Sequence, residues 1–272
     1  MKKRLPLILL FLLPLILLIF GLFWVCREKG HFCLRKITAS LPVHPEWETV
    51  VEGVPEEALT QTYTYLKGGT QAYSFVSEDQ KYVLKFFKMS HLLPKTWLNY
   101  IPIPYLLDRY RYAKIDKHQA DLKTTFEGYK LAYDHLKEET ALIVVHLNPT
   151  KNLYKEVTVI DRQKRTHRIP LDRVPFILQK KAELITAKIA NEENIERIRS
   201  AVLRLVERRC QKGFSDGDGE ICRNYGFIGE ECVQFDVGRL YPDEAMKDPA
   251  AQEREVQRIQ KKLEVLINSC LP

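Results

Sequence analysis

The chain has 272 residues, 45% of them hydrophobic and 28% charged, which excludes a disordered or collagen-like polymer and leaves room for one large domain or two small ones. Its formal net charge of +7 suggests a nucleic-acid binder until its distribution is read. Seven of the 42 Lys and Arg and one of the 35 acidic residues fall in residues 1–36, so the rest carries 35 basic against 34 acidic side chains and no nucleic-acid partner is expected.

Residues 1–36 read as a membrane anchor with a basic juxtamembrane segment. After Met1-Lys2-Lys3-Arg4 the run Leu5–Val25 contains no charge, and as a helix of ~1.5 Å rise per residue it matches the apolar core of a bilayer. A cleaved signal peptide usually has a shorter apolar region and small residues at its end; here the run closes on Phe23-Trp24-Val25-Cys26, an interfacial aromatic pair. A single-pass span is the favoured reading. Basic residues flank both sides, so the side on which the body lies stays open. Six cysteines (26, 33, 210, 222, 232, 270) without a C-x-x-C pair argue against a structural zinc site and leave disulfides and buried thiols equally open.

Residues 37–60, broken by Pro42, Pro45 and Pro55, read as a linker. Strand character then comes at Tyr63–Leu66, Ala72–Val76 and Lys81–Phe87, with Lys67-Gly68-Gly69-Thr70 and Ser77–Gln80 as turns. The stretch 89–113 is rich in proline and aromatics and packs on the body or on lipid. A helix is predicted over about Asp116–Lys137, because Leu122, Phe126, Tyr129, Tyr133 and Leu136 recur at alternating spacings of four and three. Further strands follow at Ala141–Leu147, Glu156–Ile160, Arg168–Leu171 and Phe176–Gln179. Ile195, Ile198, Val202, Leu205 and Val206 mark one face of a helix over Asn191–Arg209. An acidic loop (Asp216, Asp218, Glu220) leads to Asn224 and then to two short apolar runs, Tyr225–Ile228 and Cys232–Phe235, that read as a hairpin. The hairpin delivers Asp236-Val237-Gly238. A last helix starts at Asp248-Pro249.

The order strand, glycine turn, strand, strand with an internal lysine, helix, acidic loop, Asn, Asp-x-Gly resembles the protein-kinase-like superfamily over Tyr63 to Leu240. The resemblance implies an α+β, two-lobed fold after the transmembrane helix. Its N-lobe, residues 61–183, is an antiparallel sheet plus a helix; residues 184–272 form a reduced helical C-lobe. It also implies roles. Gly68 and Gly69 would close backbone amides over the phosphates of ATP, and Lys85 of "YVLKFF" would bridge those phosphates to Glu127 on the following helix. Glu127 has a plainer reading as a solvated glutamate paired with Lys123 or Lys130. Asp218 would orient the acceptor hydroxyl, while Asn224 and Asp236 would hold Mg²⁺ through hard oxygen ligands.

The chain departs from the family's pattern in several places. Five residues separate Asp218 from Asn224 where four are usual, no histidine precedes Asp218, Val237 stands for Phe, and only 34 residues follow Gly238. A calcium loop at Asp216–Glu220 is set aside because the required Gly and Glu are replaced by Ile221 and Phe227. An unrelated α+β fold with a solvated acidic turn stays open. Two functions follow: a membrane-anchored, ATP- and Mg²⁺-dependent phosphotransferase, cytoplasmic if active, or an inactive pseudokinase that binds a nucleotide or a protein partner.

Overall fold

Apolar strand-length runs and stretches of helical periodicity build a mixed α+β chain around one large sheet. The computed structural model describes residues 14, 16–21, 32–51, 53–93, 105–191 and 194–270. They fall into two units, Met1–Cys33 and Leu34–Pro272. In the first, residues 14 and 16–21 are helical with exposed side chains. The rest of the expected span Leu5–Val25 lies outside the described residues, and among those described no helix is long and apolar enough to cross a membrane.

The sheet contains β1 (Thr62–Gly68), β2 (Ala72–Ser77), β3 (Tyr82–Phe87), β4 (Leu142–His146), β5 (Glu156–Ile160), β6 (Thr166–Pro170) and β7 (Phe176–Lys180), in the spatial order β4-β7-β3-β2-β1-β5-β6. Five strands form an antiparallel block, β4-β7-β3-β2-β1. The β5–β6 hairpin extends it by pairing β5 parallel to β1, Thr62 opposite Thr158. The central position of β3 explains why all six of its residues are buried.

One face of the sheet receives α1 (Tyr105–His135), which begins well before the predicted Asp116; residues 94–104 of the preceding stretch lie outside the described residues. The predicted stripe is the buried one. Leu122, Phe126, Tyr129, Tyr133 and Leu136 pack with Phe87, Val145 and Ile177 in a single cluster. Of residues 37–60, read as a linker, Ala39, Leu41 and Trp47 pack on this cluster: Trp47 is buried, its ring 4.9 Å edge-on from Phe126.

After β7 the chain forms β8 (Glu183–Leu184), α2 (Ile185–Asn191), α3 (Ile195–Gln211), β9 (Phe214–Asp216), β10 (Tyr225–Ile228), β11 (Glu231–Gln234), β12 (Leu240–Pro242) and α4 (Pro249–Cys270). The apolar face of α3 (Ile198, Val202, Leu205, Val206) meets Ile259, Leu263 and Ile267 of α4 in a second hydrophobic cluster. Val237 and Leu240 belong instead to the first cluster, so the segment after the hairpin is fastened to α1. Cys33, Cys210, Cys222, Cys232 and Cys270 are free thiols.

Candidate functional site

A cleft of about 800 Å³ opens between the glycine turn, β3 and the loops on either side of β10–β11. Gly68, Gly69, Lys85, Asp218, Asn224 and Asp236 all line it. Six of the seven residues singled out from the sequence therefore meet, although up to 168 positions separate them. Glu127 does not join them. It lies on the outer face of α1, half-exposed, with its carboxylate 3.7 Å from the Lys123 amine one helical turn away. The expected Lys85–Glu127 bridge is corrected to an i,i+4 surface pair, because the stripe that buries α1 turns residue 127 outward.

Lys85 is held differently. It sits in mid-strand, opposite Ser74 on β2 and Ile177 on β7, and its side chain is 8% exposed. Its amine donates to the Phe235 carbonyl at 2.6 Å, an oxygen that also accepts from Gln179 Nε2 at 3.2 Å. Burial lowers its pKa from 10.5 to about 8, with Asp236 opposing the fall and Lys67 adding to it. Between these two values the unfolded chain binds the proton and the folded one does not. This group's contribution to stability therefore rises as pH climbs from about 8 towards 10.5.

The β10–β11 hairpin sets the two residues proposed for a metal. Tyr225 pairs with Gln234, and the Phe235 N–H donates to the Asn224 carbonyl at 2.8 Å, so Asn224 and Asp236 stand on either side of the hairpin's open end. Asn224 is buried, and its Nδ2 has no hydrogen-bond partner among the described residues. Such an orphan is unfavourable in a closed protein and is the kind of group that a ligand satisfies. Asp236 accepts a hydrogen bond from the Tyr129 hydroxyl at 3.3 Å. Burial, reinforced by that carboxylate, pushes the Tyr129 phenol well above its ordinary value, so Tyr129 is a fixed donor.

The close approach of α1 to Asp236 depends on Gly128. A Cβ there would stand 2.6 Å from the Val237 carbonyl oxygen and 3.1 Å from the Gly238 carbonyl carbon, contacts with backbone that neither side can yield cheaply.

The acidic loop divides its labour. Asp216 is buried and spends both oxygens on structure: Oδ1 accepts from the Asp218 N–H, and Oδ2 from the Gly219 N–H and from Gln234 Nε2. Beneath it Arg209, 2% exposed, donates to Tyr225 Oη, Gln234 Oε1 and Glu255 Oε1. Asp218 is left exposed at the cleft. Over the glycine turn, the Lys88 amine donates to the Gly69 carbonyl and lies 4.5 Å from the centroid of the Tyr73 ring.

Sequence reading missed Tyr129, Phe235, Gln179 and Gly128 as members of the site. Tyr129 was visible only as one of five apolar-stripe residues, and Phe235 only as the end of a strand. Gly128 carried a signal, a glycine inside a strong helix, which usually has a packing reason.

No protein-family model matches the chain, and no curated protein matches it significantly. Among solved structures it is similar to a crystal structure of WbdD, at 15% identity and a TM-score of 0.37 over 76% of this chain and 38% of that one. A co-crystal structure of WbdD with the kinase inhibitor LY294002 matches at 15% identity and TM-score 0.35, over 76% and 46%. The ROP18 kinase domain in complex with AMP-PNP and sucrose matches at 16% identity and TM-score 0.34, over 65% and 51%. The chain thus spans between about two-fifths and half of these structures, and likeness at this level settles neither fold nor function.

Proposed function

We propose that this chain is a kinase-like protein whose cleft binds the phosphate chain of ATP, or of a related polyphosphate, together with Mg²⁺, and transfers a phosphoryl group. The observation that carries the reading is the convergence of Gly68, Gly69, Lys85, Asp218, Asn224 and Asp236 on one cavity. The β4-β7-β3-β2-β1 block with α1 on one face, and a hairpin flanked by Asn224 and Asp236, support the kinase-like reading. Asn224 and Asp236 suit Mg²⁺, which takes one or two protein oxygens and completes its shell with phosphates and water. The ion, when bound, neutralises phosphate charge. For the chain's own part, Lys85 places a cation against the phosphates, the glycine turn covers them, and Asp218 orients the acceptor hydroxyl.

Mg²⁺ with ATP or with inorganic triphosphate is expected to raise the melting temperature of the wild type and not of Asp236→Asn, as read by differential scanning fluorimetry. No rise with either ligand contradicts the proposal.

One observation favours the inactive reading: Lys85 has a backbone carbonyl, and not a helix carboxylate, as its partner. Phosphorus NMR of ATP held with the protein and Mg²⁺ separates the two, since γ-phosphate loss above that of Asp218→Asn supports an enzyme and unchanged ATP a binding module. The apolar run 5–25 is proposed as a tether that places this cleft at a membrane surface. Alkaline carbonate should leave the full chain, and not one lacking residues 1–36, in the membrane pellet; release of both contradicts a tether.

A further inference from the structure

One wall of the cleft is a side chain that the proposed function does not use: Phe235, whose ring packs beside Ala182 and Glu183 of the segment after β7. The Phe235 ring edge lies 3.2 Å from the point where a Cβ on Gly226 would stand. The Glu183 carbonyl oxygen, at 2.5 Å, and the Ala182 Cβ, at 3.0 Å, crowd the same point. Ring and connecting segment are thus packed together over a glycine with no room for even a methyl group. None of residues 180–184 lines the cleft.

We propose that the cleft selects the phosphate chain of its ligand and offers no slot for a base, because the Phe235 ring closes it off from the segment that carries Ala182 and Glu183. This rests on the reading of the cleft as a polyphosphate site and narrows its ligand class.

Phe235 is fixed from three directions. Its N–H is bound to the Asn224 carbonyl, and its carbonyl accepts from Lys85 and Gln179. The ammonium groups of Lys85 and Lys67 lie 5.3 and 5.4 Å from its ring centroid, within the range of cation–π attraction. A purine inserted here has to displace the ring and break its cation–π contacts with Lys67 and Lys85. A phosphate chain needs no flat slot, only the positive charge that Lys67, Lys85, Arg223 and Arg239 supply beside Asn224 and Asp236. An inorganic polyphosphate and the tail of a nucleotide share that chemistry, and comparing them separates the two sources.

The test is isothermal titration calorimetry of the body, residues 34–272, which form one unit, with inorganic triphosphate and with ATP at the same excess of Mg²⁺. The wild type is expected to bind triphosphate as tightly as ATP or more tightly. Phe235→Ala is expected to raise the affinity for ATP relative to that for triphosphate by about tenfold or more. Phe235→Leu, which keeps the packing, serves if circular dichroism shows that the alanine variant is unfolded, and is expected to shift that ratio in the same sense. A wild type that prefers ATP over triphosphate by about tenfold overturns this inference and leaves the polyphosphate cleft standing, as does a folded Phe235 variant in which that ratio is unchanged. A wild type that binds neither ligand overturns both.

Discussion

Lys85→Met is expected to make the protein more stable while weakening its ligand binding. The lysine is buried in the middle strand, and its pKa falls to about 8 because the charged form is poorly solvated there. A fall of that size corresponds to about 3 kcal/mol of unfavourable charge burial at neutral pH, an upper limit on what methionine can recover. Methionine keeps the shape of the stem and lacks the charge. The Phe235 carbonyl remains satisfied by Gln179, so no buried acceptor is orphaned. For a body of this size each kcal/mol moves the melting temperature by about 2–4 °C, so a clear rise is expected at pH 7. The rise should shrink as pH is taken from about 8 towards 10.5, where the wild-type lysine sheds its proton in the folded state and stops opposing folding. Affinity for Mg²⁺-polyphosphate should fall about tenfold to a hundredfold, since a charge-assisted hydrogen bond to phosphate is worth about 1.5–3 kcal/mol. A variant that melts below the wild type at pH 7 contradicts the claim that this lysine is retained at a cost to stability.

Arg209→Leu is expected to have the opposite effect on folding. The guanidinium is 2% exposed and is shared by Tyr225, Gln234 and Glu255, with the Asp216 carboxylate 4.0 Å away. Removing it leaves the buried Asp216 carboxylate without its cation and strips Glu255 of one of two, since Arg258 still holds that carboxylate at 2.6 Å. Loss of one partner from a buried ion pair costs about 3–5 kcal/mol, which lowers the melting temperature by roughly 10 °C in a body of this size. Asp216 also holds the backbone N–H groups of Asp218 and Gly219, so the loop at the cleft loosens with it. Changing Glu255 to Met together with Arg209 to Met should recover much of the loss, because a buried charge pair replaced by apolar side chains of similar volume is often neutral. Guanidinium chloride unfolding of the single and double variants measures both effects. A single variant within about 0.5 kcal/mol of the wild type shows that the network carries no weight.

These two residues also mark what the sequence could and could not reveal. Strand and helix positions were legible from local pattern: the apolar run in Tyr82–Phe87 and the spacing of Leu122, Phe126, Tyr129, Tyr133 and Leu136 correspond to a buried strand and to the buried face of α1. Lys85 stood out for the same reason, as one charge inside an apolar strand. What sequence reading could not supply were side-chain directions fixed by partners far away in the chain. The stripe that buries α1 sends Glu127 to Lys123 and brings Tyr129, two residues later, to Asp236, a contact spanning 107 positions. A 3.6-residue period says which residues face inward and not what they meet. The parallel addition of β5 to β1 was hidden likewise, since non-local pairing leaves no mark on either strand. In the late hairpin the register set the outcome. Pairing Tyr225 with Gln234 brings Asn224 and Asp236 to the same end, as the two apolar runs implied, but nothing in Cys232–Phe235 told where the Phe235 ring would go.

The central claim is that a phosphate chain and its ion lie between the Lys85 amine on β3 and the Asn224 and Asp236 side chains beside β10–β11. A crystal structure of the body grown with Mn²⁺ in place of Mg²⁺ and with inorganic triphosphate tests it most directly, because the anomalous signal of the metal fixes the ion independently of the protein trace. The account predicts an anomalous peak in contact with Asp236 and the side-chain oxygen of Asn224, with a phosphate oxygen on the Lys85 amine. A peak elsewhere on the molecule, or none beside Asp236 at a ligand concentration that saturates the solution binding, contradicts it.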